Sequence, residues 1–233
     1  MEAFRKRGAA ISVCALPDED LATLHLPEGI VIGGDLTCDN IRRAWIDKTM
    51  RKFGRMDVLI NNAGVGLYAP PSEAPVDLTR RMFEVNVFAP MCLAQLVIPQ
   101  MRKQGAGCIV NLGSVGGLVS LPWASMYCAT KFAMHALSDS LRREMKGTGV
   151  HVVKVCPGIV DTAFREHVLY GQAPGNVSDI RRIVSPQAVA ARIVSAVERR
   201  TRTVFVPRIG RAFTSMEFVT QGLMDWYLAR LNK

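Results

Sequence analysis

No run in this sequence approaches the roughly eighteen consecutive apolar residues of a membrane-spanning helix, so no bilayer span is predicted. Basic residues near the start have no apolar core behind them, so the pattern of a secretory signal is missing. CxxC pairs are missing too: Cys14, Cys38, Cys92, Cys108, Cys128 and Cys156 are scattered along the chain. Several fall in predicted strands or helices, which reads as small buried hydrophobes in a reducing compartment and predicts a cytoplasmic protein. No metal site is expected. Repeats and low-complexity linkers are also absent, so residues 1–233 are read as one domain around one large core.

What is abundant is positive charge, with a formal net charge of +9. No helix-turn-helix, zinc or aromatic-interleaved basic pattern accompanies it, so nucleic acid is not an expected partner. The basic residues come in separated pairs: Arg42-Arg43, Arg80-Arg81, Arg142-Arg143, Arg181-Arg182 and Arg199-Arg200. Solvated helix faces are the ordinary reading, and attraction to an anionic cofactor, acyl carrier or membrane surface is the other.

Short apolar runs alternate with helical patterns, the signature of a parallel sheet with crossover helices. Strands are predicted over residues 9–15, 29–33, 57–61, 108–112, 150–156 and 203–206. Helices are predicted over 37–53, with Asp39 or Thr37 as cap, over 78–103 with local interruptions at Pro90 and Pro99, and over 124–145 and 186–199. Residues 165–185 read as an irregular loop.

Tyr127 and Lys131 stand four residues apart, so one face of a helix presents both. An ammonium near a phenol favours phenolate and draws the tyrosine pKa from about 10 toward neutrality. Such a tyrosine exchanges a proton with a carbonyl or an alcohol. Ser114 follows the apolar run 108–113, at the strand end where an α/β sheet places its ligand.

With Asn61-Asn62-Ala63-Gly64, Asn86 and Pro157-Gly158-Ile159-Val160-Asp161-Thr162 in the same order, the chain resembles the short-chain dehydrogenase/reductase family. The resemblance runs from about Gly8 to about Phe205. It implies a Rossmann-type, doubly wound parallel sheet in three α/β/α layers. It implies that Tyr127 is the general acid in carbonyl reduction and the general base in alcohol oxidation. Lys131 would lower the tyrosine pKa and bind the nicotinamide ribose. Ser114 would hold the substrate oxygen, and Asn86 would anchor a water between Lys131 and solvent.

For the cofactor, the resemblance implies Asp35 and Leu36 at the adenine, and Asn62, Ala63 and Gly64 along the adenine-ribose side. Pro157, Gly158, Ile159 and Thr162 would wrap the nicotinamide end, beside Tyr127 and Lys131. Acidic residues that bind the ribose hydroxyls of NAD usually follow the second strand. Cys14-Ala15-Leu16 stands there instead, with Asp18 a few residues late, which leans toward NADP over NAD. The family also opens with a strand, a glycine-rich turn and a helix that receives the pyrophosphate. Residues 1–10 look like the end of that helix, so roughly twenty residues are expected upstream. The alternative expectation is a non-catalytic chain that acts as an interaction or partner-dependent module.

Residues 164–185 are expected to form a lid, with Val168, Leu169, Tyr170 and Val177 apolar, and Arg165, His167, Arg181 and Arg182 available to an anion. A lipophilic or acyl-type carbonyl or alcohol is the preferred substrate class. Residues 208–233 form an amphipathic extension: Phe213, Met216, Val219, Leu223, Trp226 or Tyr227, and Leu231 recur at helical spacing. Packing on the domain or a partner subunit is its ordinary role, and peripheral membrane contact the sharper one. The resemblance suggests a homodimer or homotetramer built on the helices at 78–103 and 124–145.

Overall fold

β-Branched residues gather in short segments, and each segment forms a strand: β1 (Ser12–Ala15), β2 (Ile30–Gly33), β3 (Val58–Asn61), β4 (Gly107–Leu112), β5 (Val150–Pro157) and β6 (Thr203–Val206). The computed structural model describes residues 1–17, 21, 24–165, 168–172 and 183–230. The helices are α1 (Glu2–Arg5), α2 (Asp39–Phe53), α3 (Val76–Phe83), α4 (Ala89–Gln104), α5 (Ser125–Glu144), α6 (Pro186–Glu198), α7 (Gly210–Val219) and α8 (Gln221–Arg230).

All strand pairings are parallel. The order β3-β4-β5-β6 makes a four-stranded sheet, and β1 pairs with β2. The break between β1 and β3 falls where the resemblance puts the strand that carries the glycine-rich turn. Alternation along β4 and β5 builds two cores. Ile109 and Val152 face Trp45, Leu93, Val97 and Met101 from α2 and α4. Val110, Val153 and Val155 face Val189 and Ile193 from α6. Helices thus cover both sheet faces, as a parallel sheet requires.

The long helical region differs from expectation. Pro90 and Pro99 do not interrupt it: α3 runs through a π-helical turn (Glu84–Phe88) into α4, with Pro90 in the first turn of α4 and Pro99 inside it. Pro90 has no N–H to give to Asn86, and the wider turn closes instead from Ala89 N–H to the Glu84 carbonyl. By length and composition, residues 76–104 are also apolar enough to cross a bilayer, contrary to the expectation of no such run. Here α4 buries Leu93, Ala94, Val97 and Met101 in the sheet core. The cap position of α2 is Cys38, which makes no side-chain bond, and not Thr37 or Asp39; Thr37 donates its N–H and hydroxyl to Asp35 instead. Ser185 caps α6, accepting from Ala188 N–H at 3.2 Å, with Pro186 in its first turn.

The C-terminal extension forms two helices, not one stripe. Leu228 of α8 packs against Val119, while Trp226 is exposed. The side chains of Phe213, Met216, Val219, Leu223 and Tyr227, and all of Leu231, lie outside the described residues.

Candidate active site

β4 ends at Leu112, and the chain turns at Gly113 so that Ser114 opens a 3-10 turn over Val115–Gly117. Ser114 Oγ accepts from Gly116 N–H at 3.0 Å, which fixes its position at the C-terminal edge of the sheet. Tyr127 and Lys131 project from the first two turns of α5. Lys131 Nζ lies 5.6 Å from the Tyr127 ring centroid and donates to the Leu112 carbonyl at 3.2 Å. The ring of Tyr127 leans toward Tyr68 and Phe164, with centroids 6.2 and 5.9 Å away.

The π turn swings Asn86 inward. Its Oδ1 accepts from Val65 N–H at 2.9 Å, and its Nδ2 donates to the Val65 carbonyl at 2.9 Å and to Thr130 Oγ1 at 3.1 Å. Thr130 Oγ1 in turn donates to the Tyr127 carbonyl at 2.7 Å. Asn86 therefore ties the loop after β3 to the start of α5. The fully buried Thr130 was not among the expected site residues. Only its position beside Lys131 could have flagged it.

Electrostatics overturn one expectation. Lys131 sits over the tyrosine ring while its proton donor faces a backbone carbonyl, and it does not draw the phenol pKa down. Burial holds the Tyr127 phenol above its ordinary range, nearby Tyr68 adds to this, and a hydrogen bond with Ser114 opposes it. Burial likewise lowers Lys131 to about 8.

Asp35 lies after β2, where Oδ2 accepts from Arg81 Nη2 at 2.5 Å and Oδ1 from Thr37 N–H and Oγ1 at 2.9 Å. Burial raises its pKa, but the hydrogen bonds from Thr37 and Arg81 outweigh it, and the net shift is downward. The Leu36 carbonyl accepts from Arg42 Nη1 at 2.7 Å. Asn62, Ala63 and Gly64 follow β3, and Asn62 N–H reaches the Ile60 carbonyl at 3.1 Å. Pro157 closes β5, Gly158 N–H donates to the Val206 carbonyl at 2.9 Å, and the Ile159 carbonyl accepts from Val184 N–H at 2.9 Å. Thr162 Oγ1 receives Phe164 N–H at 3.4 Å. Of the expected lid, Leu169 N–H binds the Gly66 carbonyl, and Tyr68 N–H the Tyr170 carbonyl. His167, Val177, Arg181 and Arg182, and the Arg165 side chain, lie outside the described residues, as does Asp18.

Residues 1–172 match the family model for short chain dehydrogenases. The chain belongs to this family. It is similar to dehydrogenase/reductase SDR family member 7B from Rattus norvegicus, 34% identical over 160 residues that take in 66% of this chain and 48% of the relative. It therefore spans about half the length of that protein. It is also similar to 17-beta-hydroxysteroid dehydrogenase type 1 from Homo sapiens, at 41% over 116 residues, 50% of this chain and 35% of that one. The fold matches a short chain dehydrogenase/reductase from Burkholderia phymatum solved with NAD. The TM-score is 0.81 at 24% identity, over 96% of this chain and 90% of the other.

A dinucleotide of the kind this family fold holds can be tested against the residues present. A β-carbon on Gly64 would stand 3.3 Å from Asn86 Oδ1 and 3.6 Å from Lys131 Nζ. The missing side chain lets the loop after β3 lie close against Asn86 and the ammonium. With one donor on the Leu112 carbonyl, Lys131 Nζ has others to offer a ribose hydroxyl, so the residues at this end of the cleft fit the group. Two further features escaped the sequence. Asn61, Asn111 and Ser138 form a buried chain of hydrogen bonds of 2.8 and 2.9 Å from β3 through β4 to α5. The only signal for it was a polar residue inside an apolar strand. His135, one turn beyond Lys131, fills the notch between Gly113 and Gly117 beneath the Ser114 turn.

Proposed function

We propose that this chain is an NADP-dependent oxidoreductase that reduces a lipophilic carbonyl to an alcohol and runs the reverse reaction under alcohol excess. The observation that carries the reading is the convergence of Ser114, Tyr127 and Lys131 at the C-terminal edge of the sheet. The nicotinamide supplies or accepts the hydride. Ser114 orients the substrate oxygen, and Tyr127 Oη gives it a proton. The phenol, which burial keeps protonated, is the proton donor when the carbonyl is reduced, and its phenolate is the acceptor in the reverse direction. Lys131 holds the ribose and restores the proton, and Asn86 and Thr130 fix the start of α5 that carries both.

The cofactor preference rests on β1, which ends in Cys14-Ala15 and is followed by Leu16-Pro17, with no carboxylate among these residues to meet ribose hydroxyls. The partly buried Met126 and Leu169, with Tyr68 and Phe164 against Tyr127, support a lipophilic substrate. The steroid-named human relative agrees with that class. Exposed Phe88 and Phe132 on the long helices support a homodimer or homotetramer, and six free thiols suit the cytoplasm. Turnover of aromatic and alicyclic ketones with NADPH and NADH tests this reading. NADPH is expected to give the higher kcat/KM by about tenfold, a discrimination of about 1.4 kcal/mol. Equal use of both cofactors rejects the preference, and no oxidation of either rejects the enzyme.

The unpaired edges of β1 and β3 favour a second reading, in which a partner strand completes the sheet and the chain is a partner-dependent module. Cofactor binding by the isolated chain separates the two.

A further inference from the structure

The basic pair Arg142-Arg143 and Arg200 of the pair Arg199-Arg200, far apart in sequence, meet in space. With Lys146, His151 and Arg202 they ring a concavity of about 420 Å³ at the N-terminal end of β5. Ser114 and Tyr127 lie at the other end of the sheet, and the eight residues of β5 put about 23 Å between the two ends. The volume falls in the range of about 300–1,000 Å³ typical of small-molecule sites. We propose that this concavity binds a compact phosphorylated polyanion, either free in solution or displayed as a lipid headgroup.

The charge is not spent internally. Asp139 is the carboxylate of this region's salt bridges, and Arg142 at 2.5 Å and Lys154 at 2.9 Å already occupy it, with Arg202 at 3.7 Å. Arg142 is scaffold, since its remaining donors reach the Val152 and Arg202 carbonyls. Arg143, Lys146 and Arg200 form no salt bridge among the described residues, and Glu144 does not line the concavity. Basic residues in the last turn of α5 complement its dipole, which accounts for Arg142 and Arg143 alone. It does not account for the cations from beyond α6.

His151 stands in the same wall with its Nε2 enclosed by protein, so it shapes the lining and leaves the anion to the cations. The backbone of the rim carries a further observation. Arg200 has φ of +55°, at the turn where Arg200 and Thr201 N–H donate to the Val197 and Ala196 carbonyls. Glycine usually fills that left-handed position after a helix. An arginine held there against backbone preference, on a rim of like charges, is the kind of strain found at binding sites.

Arg200→Gly separates ligand binding from structure, because it relaxes the backbone while removing the charge. Arg143→Gln/Lys146→Gln/Arg202→Gln, on exposed side chains, is the second variant. Binding of tripolyphosphate is measured by calorimetry at fixed ionic strength, and of phosphatidylcholine vesicles with and without phosphatidylinositol bisphosphate by co-sedimentation. The wild-type protein is expected to bind at least one probe, and both variants to bind it about tenfold or more weakly. The melting temperature of Arg200→Gly should be no lower than wild type. Tripolyphosphate alone assigns a free ligand, and binding to the bisphosphate-containing vesicles assigns a headgroup. No binding of either probe, or binding undiminished in both variants, overturns the proposal, the latter placing the anion in the dinucleotide cleft.

Discussion

His135 shows what burial does to a single titratable side chain. Burial first, then the nearby Lys154, lowers its pKa to about 4. Unfolded, the same imidazole takes up its proton near pH 6.5. Between these values the unfolded chain binds the additional proton, so stability falls as pH drops from 6.5 toward 4 and is fully present above 6.5. From pH 7 to pH 5 this is expected to cost about 2 kcal/mol. Urea unfolding of wild type and His135→Gln at the two pH values checks it, because the variant should lose that share of the acid sensitivity. Equal sensitivity in both would show that the imidazole is not held neutral. The same physics explains why the expected acidification of Tyr127 did not hold. Spacing places Lys131 one turn away, but depth and the direction of its Nζ decide the electrostatics. Neither is written in the spacing.

At the scale of elements, sequence patterns located most of the secondary structure. β6 spans Thr203–Val206 as expected, and α5 and β5 end within a residue of their predicted limits. Apolar periodicity reports which face is buried, and that carried these assignments. The π turn at Glu84–Phe88 was not legible, because a one-residue change in hydrogen-bond register leaves no hydrophobic signature. Nor was the contact between α5 and the Ser114 turn, which depends on two glycines far from the histidine in sequence. A β-carbon on Gly117 would lie 2.7 Å from the Lys131 carbonyl oxygen and 2.9 Å from His135 Cε1. Gly117→Ala is therefore expected to cost about 1–3 kcal/mol by overpacking and to lower kcat by shifting Ser114 from Tyr127. Thermal unfolding and steady-state kinetics read the two effects, and an unchanged melting temperature would contradict the packing described.

Across the whole molecule, the parallel sheet separates two chemistries. The C-terminal strand ends gather the residues proposed for proton transfer, and the N-terminal ends gather excess positive charge. Family membership follows from residues 1–172, and the candidate site is assembled by β4, α5 and the π turn from distant parts of the chain. The order of the motifs along the chain named Ser114, Tyr127 and Lys131, and the structure brings these three together. The basic concavity was not legible, since the sequence shows only separated pairs. The central claim is that Tyr127 transfers the proton. Its most direct test compares kcat and cofactor dissociation constant for wild type and Tyr127→Phe. A fall in kcat of about 10²–10⁴-fold with nearly unchanged cofactor binding is predicted. Turnover that survives the loss of the hydroxyl would contradict the account.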